Sequence, residues 1–107
     1  MVIKKRKITW TKQATKQLSE AIKFIRKDSD QNAEKVKTAI LGKVIELEDD
    51  RLVHRQDPYK KNNDGNFRYF EVLRYRVVYY SKPSEVFIIR IRHTSMEPKR
   101  YLPKILI

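Results

Sequence analysis

Two stretches of helical periodicity lie back to back in the first half of this chain, and they decide what it can become. From Lys12 onward, Ala14, Leu18, Ala21, Ile22 and Ile25 fall on one face; after Asp28-Ser29-Asp30 the pattern resumes with Ala33, Val36, Ile40, Val44 and Leu47. Each run places an apolar stripe along an α-helix, the second over about Gln31 to Asp49. Thr11 stands where an N-cap belongs, its hydroxyl available to the open amides of the first helix. Asp28, Ser29 and Asp30 favour turns and caps over helix interiors, so the connection is short and the pair folds as an antiparallel hairpin. Neither helix can bury its stripe alone. A sheet has to receive both.

Material for that sheet flanks the hairpin. Val2 to Trp10 reads as a short strand, interrupted by a run of basic residues, and three more strands follow a long loop at 51–66. They span Phe67–Val72, Tyr75–Tyr80 and Val86–Arg92, with a tight connection at Leu73-Arg74 and a turn at Ser81-Lys82-Pro83-Ser84. Such close connections predict an antiparallel meander. The expected architecture is α+β, in the order β-α-α-β-β-β, with one sheet packed against the helices. At 107 residues, positions 1–107 make a single domain. One local conflict stands out: Glu46, Glu48, Asp49 and Asp50 gather at the C-terminus of the second helix, where the helix dipole disfavours negative charge.

Charge narrows the function classes. The chain carries 25 Lys+Arg against 13 Asp+Glu, a formal net charge of +12. The excess is concentrated towards both ends, while residues 28–50 are acidic. An imbalance of this size implies a polyanionic partner. The absence of Cys excludes a disulfide scaffold, a thiol nucleophile and a thiolate zinc site. With glycine only at 42 and 65 there is no phosphate-cradling loop, so nucleotide hydrolysis and a dinucleotide cofactor are set aside. No cofactor or metal is expected. No run approaches the roughly 18 apolar residues of a membrane span, and the basic start leads into ITWTKQAT, not an apolar leader core. The expected location is the cytoplasm, away from membranes.

Strand alternation then predicts where the cations point. Arg90 and Arg92 fall on one face of the last strand, opposite Phe87, Ile89 and Ile91, while Arg74, Arg76, Val78 and Tyr80 share a face of the middle strand. The expectation is an exposed sheet face showing Arg76, Arg90 and Arg92, joined by Arg68. A planar guanidinium meets phosphate or carboxylate in two-point contact, which Lys cannot do. Arg68, Arg74, Arg90 and Arg92 are therefore the candidate target-binding residues. His54, in the loop beside Arg51 and Arg55, reads as a solvated surface group. His93 ends the last strand and is a candidate general acid or base. Cleaving RNA through its own 2′-hydroxyl needs a base, positive charge on the phosphorane and an acid. Arg76, Arg90 and Arg92 supply charge, and His93 or Tyr101 supplies proton transfer; a clear general base is missing.

The residue order resembles a known family. ITWTKQATKQLSEAIKFIRKDSDQNAEKV is similar to the opening of the RelE/ParE superfamily of toxins from type II toxin–antitoxin modules. YRVVYY at 75–80 resembles the family's middle strand, VFIIRIRH at 86–93 its last strand, and RHTSMEPKRYL at 92–102 the end of the ParE-like branch. The resemblance implies a small bacterial toxin neutralised by a cognate antitoxin. It also implies one of two targets: ParE-like members inhibit DNA gyrase, whereas RelE-like members cleave mRNA on the ribosome. Under the RelE-like reading Arg76 matches a catalytic Arg, and His93 and Tyr101 complete the candidate catalytic set. Arg68 and Phe70 stand where that branch has two Lys. The ParE-like branch is favoured, with the ribosome-dependent ribonuclease as the alternative. A non-toxic, basic nucleic-acid-binding module is the second alternative.

Overall fold

The computed structural model describes residues 5–96. The first helix, α1, runs Lys12–Arg26 and the second, α2, Asp30–Ile45. Both begin as their side chains dictate. The Thr11 hydroxyl accepts the Ala14 N–H at 3.1 Å, and the Ser29 hydroxyl accepts the Asn32 N–H at 3.0 Å. Helix α2 ends earlier than its periodicity suggests, tightening at Glu46–Glu48 into a 3-10 turn that still buries Leu47.

Five strands form one sheet: β1 (Lys7–Trp10), β2 (Arg55–Gln56), β3 (Phe67–Val72), β4 (Tyr75–Ser81) and β5 (Glu85–His93). Their order across the sheet is β1-β5-β4-β3-β2. The antiparallel run β3-β4-β5 is present as expected. Two features correct the expectation of a simple meander. Strand β1 lies parallel to β5, with Ile8 opposite Val86 and Trp10 opposite Ile88, so the sheet is mixed. The 51–66 segment is not all loop, because Arg55 and Gln56 pair with Tyr69 and Arg68 as an edge strand. A parallel partner needs a long connection, and here the helical hairpin carries the chain from β1 to the opposite edge of the sheet, from which β2, β3 and β4 lead back to β5.

Both helices cover one face. Ala14 and Ile22 of α1 and Ala33, Val36, Ile40 and Val44 of α2 pack on Phe70, Tyr75, Val77, Tyr79, Val86, Ile88 and Ile91. Tyr79, Ile40, Leu47 and Ile88 are fully buried, each side chain contributing roughly 1.5–3 kcal/mol by leaving water.

The register slips once. Val78 faces Arg90 but Tyr79 faces Ile88, so Ile89 is an extra residue in β5, a β-bulge. One inserted residue inverts the alternation that precedes it. Val86 and Ile88 therefore face the helices together with Ile91, and Phe87 lies on the same side as Arg90 and Arg92 instead of opposite them. This is a second correction to the pattern read from the sequence.

The acidic end of α2 also finds its explanation here. Buried Arg6 donates from Nε to the Leu47 carbonyl (3.1 Å), from Nη2 to the Asp49 carbonyl (3.5 Å) and from its own N–H to the Glu48 carbonyl (2.8 Å). Its Nη1 reaches the Ser81 hydroxyl at 2.8 Å. A guanidinium thus caps the helix end and offsets the carboxylates gathered there. Arg51 clasps the Asp49 carboxylate at 2.9 Å and holds its pKa down to about 2.

Candidate functional site

Arg76 was expected on an exposed face. It is only 4% exposed. Its Nη2 lies 2.8 Å from Asp57 Oδ1 and its Nη1 3.3 Å from Glu71 Oε2. The guanidinium carbon stands 3.6 Å from the centre of the Tyr69 ring and 4.8 Å from that of Tyr59. Two carboxylates and two rings thus form a cage, in which the charge of Arg76 is spent inside the protein. Asp57 is buried as well, and it joins the cage to the loop: its N–H donates to the Phe67 carbonyl and its Oδ1 accepts the Tyr59 N–H. Asn63 completes the loop, donating to the Asp57 and Phe67 carbonyls and accepting from the Gly65 and Phe67 N–H groups.

The other arginines do not converge as one cluster. Arg68 shares the helix-facing side of β3 with Phe70 and donates to the His54 carbonyl at 2.6 Å, so it lies on the opposite face from Arg76. Arg74 sits exposed in the two-residue β3–β4 turn, where Leu73 (φ 47°) and Arg74 (φ 69°) both take left-handed backbone. Arg90 and Arg92 do lie on the outer face, opposite Val78 and Arg76 across the strand pair.

His93 pairs with Tyr75 and lies on the helix-facing side, away from the Arg76 cage. Its Nδ1 accepts the Ser95 N–H at 3.1 Å and lies 2.8 Å from the Ser95 hydroxyl, within the 3-10 turn Thr94–Met96. Tyr101 lies outside the described residues. The described members of the candidate catalytic set, Arg76 and His93, are therefore on opposite sides of the sheet and do not assemble around one phosphate.

His54 is likewise corrected. It is half-buried, with its Nδ1 2.8 Å from the Tyr79 hydroxyl and its ring packed against Phe70 and Tyr79. Burial is the main cause that pushes its pKa below the usual histidine value, with Lys43 adding to the effect. Burial raises the pKa of its partner Tyr79.

A groove of about 660 Å³ runs between α1 and the end of β5. Ala21, Phe24, Tyr75, Ile91 and Met96 supply its apolar wall; Gln17, Glu20, Arg92, His93 and Ser95 supply polar groups. Phe24 is 68% exposed there, on a helix whose own core stripe it does not join. The signal was available in the sequence as an aromatic residue on the basic side of α1. Among the described residues no group of His, Cys, Asp and Glu could hold a metal ion, and no helix is long and apolar enough to cross a membrane.

The two-helix, five-stranded arrangement is that of a solved toxin–antitoxin structure. The fold matches a chain of "Chromosomal ParDE TA system from P. aeruginosa" with a TM-score of 0.66 and 18% identity, over 82% of this chain and 95% of that one. No curated protein matches the sequence. Residues 8–98 match the family described as "ParE toxin of type II toxin-antitoxin system, parDE". The chain belongs to the ParE toxin family of type II toxin–antitoxin systems.

Proposed function

We propose that this protein is a ParE-like toxin that arrests growth by inhibiting DNA gyrase in the cytoplasm, acts as one domain, and is held inactive by a cognate antitoxin. The observation that carries the reading is the family match over residues 8–98. The caged Arg76 adds to it, because the cation that RNA cleavage would recruit is already neutralised by Asp57 and Glu71. The antitoxin seats an apolar anchor in the groove beside Phe24 and Met96, where buried contacts resist screening by salt. The net charge of +12 attracts the acidic residues of the same partner. Arg74, Arg90 and Arg92 remain as target-facing cations in this reading.

The test is induction of the chain alone, in parallel with purified gyrase. Growth arrest, accumulation of gyrase-cleaved DNA and intact mRNA are expected. Co-expression of a small acidic protein encoded beside this gene restores growth. Codon-positioned mRNA cuts with unaffected gyrase overturn the reading in favour of the ribosome-dependent ribonuclease, and normal growth favours a non-toxic nucleic-acid-binding module.

A further inference from the structure

The bulge at Ile89 has brought together three rings that neither the cage nor the groove uses. On the sheet face away from the helices, Phe67 of β3 pairs directly with Tyr80 of β4, and Tyr80 with Phe87 of β5. The first two rings stand 4.7 Å apart, centre to centre, and meet edge to face. All three are half-buried, so each presents part of its surface to solvent. Cations stand at both ends of the row. The Lys60 ammonium lies 4.8 Å from the centre of the Phe67 ring, and that of Lys82 5.5 Å from the centre of the Phe87 ring. The two carboxylates bordering the row are engaged within the protein. Asp64 accepts the Tyr80 hydroxyl and the Asn66 N–H, both at 2.9 Å, and Glu85 accepts the Thr9 hydroxyl at 2.6 Å. The bond to Asp64 also fixes how the central ring is presented.

We propose that Phe67, Tyr80 and Phe87 form a stacking platform for the bases of a single-stranded nucleic acid, with Lys60 and Lys82 meeting its phosphates. Aromatic rings on adjacent strands offer successive π-faces, and every base can stack on them whatever its sequence. Lysines poised over the end rings are long enough to swing from ring to phosphate, and the net charge of +12 draws the polyanion in. A duplex hides its base faces and cannot use such a row. This site stands apart from the gyrase reading, and either can fail without the other.

Fluorescence anisotropy of the full chain with short labelled oligo(dT), oligo(U) and a duplex of equal length tests the proposal. The expected result is binding of either single strand in clear preference to duplex. Phe67→Leu and Phe87→Leu each keep apolar bulk but remove one π-face, and each should weaken binding by roughly five- to a hundredfold. Lys60→Gln and Lys82→Gln should each flatten the log–log salt slope by about 0.7. Equal affinity for duplex and single strand, or leucine variants that are folded by circular dichroism and bind as wild type, overturn the platform. Should the leucine variants fail to fold, photocrosslinking of wild type to 5-bromouracil oligonucleotide decides: adducts on Phe67, Tyr80 or Phe87 support it, and adducts confined to other segments overturn it.

Discussion

Removing Arg76 leaves Asp57 buried and unpaired, so Arg76→Met should lower stability by about 3–5 kcal/mol, read by urea denaturation. Adding Asp57→Asn should recover part of that loss, since the orphaned charge is gone while an oxygen still accepts the Tyr59 N–H. A residue acting only on substrate would show no such rescue. His54 gives a pH-dependent counterpart. Its folded-state pKa lies below the ordinary value, so the unfolded chain binds the proton more readily. Its contribution is complete above about pH 6.5, the unfolded histidine value, and is lost as pH falls toward the lowered folded one. His54→Gln should flatten that part of a stability-against-pH curve measured in urea. Neither behaviour was legible in the sequence. Asp57 looks like half of a turn signal, and nothing local says that it closes on a guanidinium 19 positions away.

The helices announced themselves. Their stripes, the Thr11 and Ser29 caps and the three C-terminal strands are local properties, and local patterns suffice to find them. What the sequence hid was non-local. Strand β2 exists only because Tyr69 and Arg68 receive it, and the faces of β5 invert because Ile89 is inserted without any glycine to mark it. Arg68 was misplaced for a related reason: its neighbour Phe70 faces the helices, and residues two apart on a strand share a side. The β3–β4 turn yields a prediction of its own. Two side-chain-bearing residues occupy left-handed backbone there, and Leu73 is exposed, so little packing is at stake. Leu73→Asn with Arg74→Gly should raise stability by about 1 kcal/mol, seen as a shifted urea midpoint with an unchanged slope.

At the scale of the molecule, the sheet divides two surfaces: a helix-side groove and an outer face of caged Arg76 and aromatic residues. If the groove is where the antitoxin docks, Phe24→Asp should abolish its co-purification while leaving thermal unfolding nearly unchanged, within about 0.5 kcal/mol for a side chain so exposed. The parallel pairing of β1 with β5 carries a consequence for how the protein is made. Strand β1 has to wait for β5, the last strand of the described residues, and Arg6 likewise waits for Ser81. Until residue 93 has left the ribosomal exit tunnel the nascent chain has no complete sheet. The complete sheet therefore arises only after residue 93 has emerged, and β1 stays without its partner strand while all the residues between the two are being made.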